Sequence, residues 1–254
     1  MVGEAIVLGS GTSNGVPMLG VRYPEGYLDN PKNHRTRASL LLQGPSGNVL
    51  VDCPPEMRLQ LTREGIYDLD SVIVTHTHAD HIMGMDDLRS IAMKTGQPIS
   101  IYTLEEHMAD IRRVFPYAFQ QPPPGLFFPR FDLQLAEGTL ELGGLSIETF
   151  RAWHGTTWVV GLRVNDLAYL TDVKTVPAEA KEKLRGLDVL IVDGLRRAEH
   201  PNHFNLAESL AFVEEVGPRL AYLTHLSHDY DHDVTNRELP ANVELAYDGL
   251  RVRF

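Results

Sequence analysis

Thr75-His76-Thr77-His78-Ala79-Asp80-His81 places four potential metal ligands within six residues, directly after the apolar run Ser71-Val-Ile-Val-Thr75. That run has the length and β-branched content of a buried strand. His76 and His78 are two apart, so an extended backbone turns both rings to the same side. The turn that follows brings Asp80 and His81 round to a neighbouring position. Neutral imidazole nitrogen and carboxylate oxygen suit Zn(II), and also Mn(II) or Fe(II). Three histidines and an aspartate packed this closely have little structural use, because each must be desolvated or left repelling its neighbours. The segment reads as the metal-binding end of a strand.

Other candidates follow the same grammar, each just past a β-rich run. His154 follows Ile147–Trp153, Asp172 follows Tyr169-Leu-Thr171, and His225 follows Leu220–Thr224. Strand ends carry the site in open-sheet and sandwich α/β folds. Singly each residue is weak; together they make seven candidate ligands for two metals: His76, His78, Asp80, His81, His154, Asp172 and His225. Asp52 also ends a strand, and reads either as the partner of a ligand imidazole's other N–H or as a turn cap. His203 lies just before a helix that starts at Asn205, whose Asn205/Glu208 spacing is a capping box. A helix N-terminus favours phosphate, so His203 is the candidate general acid or phosphate clamp, with His200 competing. His228 and His232 are placed at the pocket mouth, with His228 near substrate, or against a partner subunit. Arg35 and Arg37 read as ordinary surface charge in preference to contacts with a substrate phosphate.

The order hairpin, Asp, Pro-initiated helix, Leu-Asp, apolar strand occurs twice. It ends once in Leu69-Asp-Ser-Val-Ile-Val-Thr-His76 and once in Leu187-Asp-Val-Leu-Ile-Val-Asp193. Either α/β proteins simply reuse such units, or the chain is two similar halves with Asp52 and Asp172 at related strand ends. Helices are expected at Met85–Lys94 and Leu104–Phe115, and strands at Leu145–Arg151 and Trp158–Val164. Phe115–Phe131, rich in proline and aromatics, reads as a long irregular excursion. It serves as a lid or contact surface, or packs its own rings.

The 254 residues suit one domain spanning 1–254 and can bury a sizeable core unaided. The lone Cys53 excludes an internal disulfide and any Cys-cluster metal site. A net charge of −11 argues against a nucleic-acid coat. The start has no basic n-region, and no apolar run reaches the ~20 residues of a membrane span, so the expected location is the cytoplasm.

His-x-His-x-Asp-His, then a lone His, a lone Asp and a last His, resembles the metallo-β-lactamase superfamily over nearly the whole chain. The resemblance implies a four-layer αββα sandwich with a dinuclear site at the sheet edge. By it, His76, His78 and His154 hold one metal, Asp80, His81 and His225 the other, and Asp172 bridges, with a metal-bridging hydroxide as nucleophile. Asp172 follows His154 by only 18 positions, which leaves no room for the arm of tRNA-processing members. Gly9-Ser-Gly-Thr-Ser-Asn-Gly-Val-Pro17, Asn202-His-Phe-Asn-Leu206, Leu223-Thr-His-Leu-Ser-His228 and Ala246-Tyr-Asp-Gly249 look closest to the phosphoribosyl cyclic phosphodiesterases, the PhnP-like group. That group carries an early cysteine cluster for a structural zinc. The matching stretch here, 20–37, has no cysteine, so the zinc is expected to be absent.

The resemblance also gives His203 its acid role and points to a homodimer. The expected function is hydrolysis of a small cyclic or diester phosphate on two divalent ions, Zn or Mn. The alternatives are a tRNase Z-like ribonuclease, a lactone, ester or β-lactam hydrolase on the same centre, or a non-enzymatic metal-binding module.

Overall fold

The computed structural model describes residues 3–254. The chain first lays down β1 (Glu4–Gly9), β2 (Ser39–Gln43), β3 (Asn48–Val51), β4 (Ser71–Ile73), β5 (Ile99–Thr103) and β6 (Phe131–Leu135). It then lays down β7 (Thr139–Leu142), β8 (Leu145–His154), β9 (Thr157–Val164), β10 (Leu167–Leu170), β11 (Val189–Asp193), β12 (Leu220–Thr224) and β13 (Val243–Leu245). A last strand, β14 (Leu250–Arg253), returns to β1. The result is two seven-stranded sheets, β14-β1-β2-β3-β4-β5-β6 and β13-β12-β11-β10-β9-β8-β7.

The two sheets repeat one pairing scheme. β1, β2 and β3 are antiparallel, and β3 to β6 run parallel. β8, β9 and β10 are antiparallel, and β10 to β13 run parallel. The repeated sequence order thus corresponds to a repeated architecture.

Strand alternation builds three apolar layers. Ala5, Val7, Leu40, Leu42, Ile147, Leu162, Leu167 and Ile191 meet between the sheets. Ile6, Leu8, Leu41, Leu50 and Val72 face outward from the first sheet. They pack under α1 (Met57–Arg63), α2 (Ala79–Ile82), α3 (Arg89–Thr95) and α4 (Glu105–Val114) through Met57, Leu61, Ile82, Ile91 and Ile111. Ala168, Leu170, Leu190 and Val192 face outward from the second sheet. They meet α5 (Ala178–Lys183) and α6 (Leu206–Val216) through Ala180, Phe212 and Val213. A short α7 (His232–Asn236) follows the last functional loop. The chain is therefore an αββα sandwich. No helix among the described residues is long and apolar enough to cross a membrane.

Several expectations change. The strand expected to stop at Arg151 runs on to His154, because Trp153 and His154 pair with Trp158 and Thr157. The helix expected over Met85–Lys94 is a 3-10 turn, Met85–Leu88, followed by α3. In the 115–131 segment Phe115 and Phe131 are buried, with Tyr117 and Phe119 against them, so most of its rings pack on the first sheet's outer layer. Arg35 is only 1% exposed and not surface charge. It donates to Ser227 O at 3.2 Å and Tyr230 O at 2.9 Å, because the loop carrying it folds beneath the segment after His225. Arg37 pairs with Glu56. The cysteine-free stretch 20–37 is held by hydrogen bonds: Asn33 donates to Tyr27 O and Asp231, and its own amide oxygen accepts from His232 N. His232 is accordingly buried beside Asn236, away from the pocket mouth.

Asp248 ties three distant segments together. Its carboxylate accepts from Ser10 N and Oγ at 2.9 and 2.8 Å, and from Thr36 N and Oγ1 at 2.9 and 2.5 Å. Arg63 approaches to 3.3 Å. Asp248→Ala strips several donors of their acceptor at once, and is expected to cost about 3 kcal/mol of unfolding free energy in urea titration. A change under about 0.5 kcal/mol would show those donors re-solvate freely.

Candidate metal centre

The functional side chains all sit where strands stop. Asp52 follows β3, Asp172 lies two residues beyond β10, and His225 follows β12. Each adopts a left-handed backbone, with φ of 64°, 53° and 59°. Non-glycine residues rarely do so without surrounding structure to enforce it, and such positions cluster at functional sites. His76 and His78 extend from β4, and one turn of α2 swings Asp80 and His81 back beside them.

Among the described residues five donor groups have their ligand atoms within 4.8 Å of one another: His76, His78 and His154; Asp80, His81 and His225; His76, His81 and Asp172; His154, Asp172 and His203; and Asp193, His203 and His225. His81 Nε2 lies 3.3 Å from both Asp80 and Asp172, and His225 Nε2 lies 3.3 Å from Asp172. His154 Nε2 is 3.3 Å from His78 Nδ1. All seven sequence candidates are thus brought together.

The outward nitrogens of these rings are fixed by the surrounding residues. His81 donates from Nδ1 to Asp52 Oδ2 at 2.7 Å. Thr75 Oγ1 donates to the same carboxylate at 2.8 Å and lies 3.1 Å from His76 Nδ1. Asp52 therefore orients two rings, one directly and one through a hydroxyl, as well as accepting from Thr75 N. His154 donates from Nδ1 to Asn202 O at 2.8 Å. Gly155 permits this, because a side chain there would run into the Asn202 amide. With Nδ1 committed, each of these rings presents Nε2 as a lone pair.

A cation fits this arrangement. The Nε2 atoms of His76, His81 and His225 are buried and make no hydrogen bond. Burying an imidazole nitrogen without a partner is costly unless something else meets it. The electrostatics agree. Burial opposes charge on His81, yet Asp172 and Asp52 outweigh it and push its pKa well up. Burial likewise opposes charge on His225, but Asp172 and Asp80 raise it to about 9. Burial alone would raise Asp172, but His225 and His81 hold it well below the carboxylate range. Protons there do what divalent cations would do. His76, in contrast, is driven down by burial and by His81.

A cavity of about 560 Å³ opens over this floor, lined by His78, Asp80, His154, Asp172 and His225. His203 also lines it. Its ring stacks on His225 with centroids 4.9 Å apart, and its Nδ1 donates to Asp193 Oδ2 at 2.8 Å. His200 lies further out, 4.9 Å from His203. His228 stands at the mouth, edge-on to Tyr23 at 6.2 Å. The free helix N-terminus expected beside His203 is not offered to a ligand. Asn205 and Glu208 form the capping box, and Leu206 N donates to Arg196 O.

The sequence reading missed Asp193. It is fully buried, accepts from Val173 N at 3.0 Å as well as from His203, and its other oxygen lies 4.0 Å from His225 Nδ1. The available signal was the repeat itself, which ends in a polar residue at this strand end.

Comparison with known proteins places these features in context. A family model described as the β-lactamase superfamily domain matches residues 47–226. A solved structure titled as a new diphosphatase from the PhnP family is 37% identical, with a TM-score of 0.92, covering 100% of this chain and 98% of that one. Zn(2+)-bound PqqB from Methylobacterium extorquens shares the fold at 19% identity and TM-score 0.78, covering 98% of this chain and 99% of that one. A curated relative, octanoyltransferase of Porphyromonas gingivalis, is 34% identical over 97% of this chain; the chain spans 51% of that relative's length.

Proposed function

The chain belongs to the β-lactamase superfamily, in its PhnP family, and from that premise we propose that it is a phosphodiesterase opening a small cyclic or diester phosphate on two divalent cations, zinc or manganese. The observation that carries this reading is the floor of the cavity, where buried Nε2 atoms without hydrogen bonds converge on two carboxylates.

His76, His78 and His154 would hold one cation and Asp80, His81 and His225 the other, with Asp172 as a further carboxylate donor. Bound there, the cations supply a water acidic enough to attack phosphorus near neutral pH and positive charge for the phosphoryl oxygens. Asp52 keeps the His76 and His81 lone pairs aimed inward. His203, its Nδ1 held by Asp193, presents Nε2 to the cavity and passes a proton to the departing alkoxide. His203 lines the cavity beside the donor cluster, where it can serve an alkoxide leaving group.

The test is a substrate panel on protein loaded with zinc or manganese: bis-p-nitrophenyl phosphate, a ribose cyclic phosphate, precursor tRNA, a lactone and a β-lactam. Turnover of the first two is expected, abolished by EDTA and restored by metal. Activity confined to the lactone or β-lactam overturns the reading, and activity confined to precursor tRNA replaces it with a ribonuclease.

A further inference from the structure

His203 hangs from a loop that neighbouring segments grip from two sides. On one side His154 donates from Nδ1 to Asn202 O at 2.8 Å. On the other, Phe204 N donates to Val173 O at 2.7 Å, one residue beyond Asp172. Between these two bonds His203 O accepts from Lys174 Nζ at 3.3 Å.

Lys174 is itself anchored at both ends. Its backbone N donates to Trp153 O at 2.7 Å, next to His154. Its ammonium also meets both carboxylate oxygens of Glu208, at 2.6 and 2.8 Å. The same Glu208 accepts from Asn205 N at 2.9 Å and closes the capping box of α6. The ammonium therefore ties the His203 loop both to the first turn of α6 and to the segment that carries Asp172.

Any part Lys174 plays in the chemistry is indirect. It is not among the described residues that line the cavity, and its ammonium bonds go to His203 O and Glu208, not to the seven clustered donors. Its side chain is 25% exposed, so the ion pair contributes little to the stability of the fold. Proton transfer is far more sensitive to position: a displacement of about 1 Å can cost about 10²-fold in rate.

We propose that Lys174 is a positioning residue for the proton donor, holding the peptide from which the His203 ring hangs so that Nε2 meets a departing alkoxide. The alkoxide rests on the phosphodiesterase reading; the placement of the ring does not. A histidine side chain has two free torsions, and two anchors restrain it. Asp193 fixes the ring at Nδ1, and Lys174 fixes the backbone. Asp193 also accepts from Val173 N at 3.0 Å, so both anchors return to the segment just after Asp172.

The experiment compares zinc-loaded wild type, Lys174→Met, Lys174→Arg and Glu208→Gln, with His203→Ala alone and combined with K174M. Zinc content is expected to match wild type throughout. In K174M, kcat on adenosine 2′,3′-cyclic phosphate is expected to fall about tenfold with KM unchanged, and kcat on bis-p-nitrophenyl phosphate by less than about twofold. K174R, which keeps the charge, recovers most of the loss. In the H203A background K174M costs nothing further, because both changes act through one group. Equal losses on the two substrates, or an undiminished loss in that background, overturn the proposal. NMR of protein labelled only in its histidine rings gives a readout free of turnover, the His203 signal being identified by its loss in H203A. K174M is expected to shift or broaden that signal, and K174R to restore it; an unchanged signal in K174M overturns the proposal. Should K174M not fold, E208Q stands in, since glutamine keeps the cap and removes the charge that holds the ammonium; an unchanged ring signal there has the same force. Where the wild type fails to turn over the cyclic phosphate, that failure bears on the phosphodiesterase reading, and the ring signal alone judges Lys174.

Discussion

His76→Ala is expected to lose metal and hydrolysis together. The ring is fully buried, its Nε2 makes no hydrogen bond, and its Nδ1 is steered through Thr75 by Asp52. It belongs to two donor groups at once, with His78 and His154 and with His81 and Asp172. Its loss therefore weakens the seat of one cation and the spacing to the other. A metal centre contributes several kcal/mol of transition-state stabilisation, so a fall of about a thousandfold or more in kcat/KM is expected. Elemental analysis of the purified variant should show a clear fall below wild-type occupancy. Wild-type metal content with wild-type turnover would remove His76 from the centre. Circular dichroism checks that the fold survives, since the methyl group leaves a cavity in an otherwise packed floor.

The second large effect separates chemistry from metal binding. His203→Ala is expected to keep wild-type metal content and lose about 10²–10⁴ in kcat on substrates with alkoxide leaving groups. On bis-p-nitrophenyl phosphate the loss should be smaller, because p-nitrophenolate departs without a proton. The position of the ring supports this split. His203 meets the clustered donors through ring contacts, 4.4 Å from His154 and 4.9 Å from His225, and its Nδ1, which donates to Asp193, lies 3.9 Å from Asp172. Asp193→Asn, which keeps the shape but weakens the hold on the ring, should show the same leaving-group pattern at lower amplitude. Equal losses on both substrate types, or turnover near wild type in His203→Ala, would move the acid role elsewhere, first to His200.

The cluster of candidate donors was legible because its chemistry is local. Four of them lie within His76–His81, and the rest share one rule of position at strand ends. The sandwich was legible in part through the double occurrence of one element order, and its pairing scheme shows the same repetition. The misread residues are those whose partners lie far along the chain. Arg35 looked like surface charge because its acceptors, Ser227 and Tyr230, lie some 190 residues away. Asp193 looked like a strand terminus because nothing in its own segment announces His203, which reaches it from a loop. Asp248 stood in a recognised motif without a role, since its donors Ser10 and Thr36 come from the opposite end of the chain. The helix beside His203 misled in a different way. Its capping box was read correctly, but the same cap occupies donors that a phosphate would need.

The repeated pairing of the two sheets has a consequence for how finely the centre can be tuned. One sheet delivers His76 to His81 together with Asp52, and the other delivers His154, Asp172 and His225. No covalent link or shared strand sets the distance between the two groups. That distance is set by the apolar layer between the sheets, through side chains such as Leu42, Ile147, Leu162 and Ile191, and by the hydrogen bond from Val160 N to Thr75 O at 3.0 Å beside His76. Close-packed interiors transmit small changes in volume as strain. The aliphatic side chains between the sheets thus act as spacers for the two donor groups. In the proposed centre, selectivity between cations of different radius would be written partly in leucines and isoleucines that belong to neither donor group.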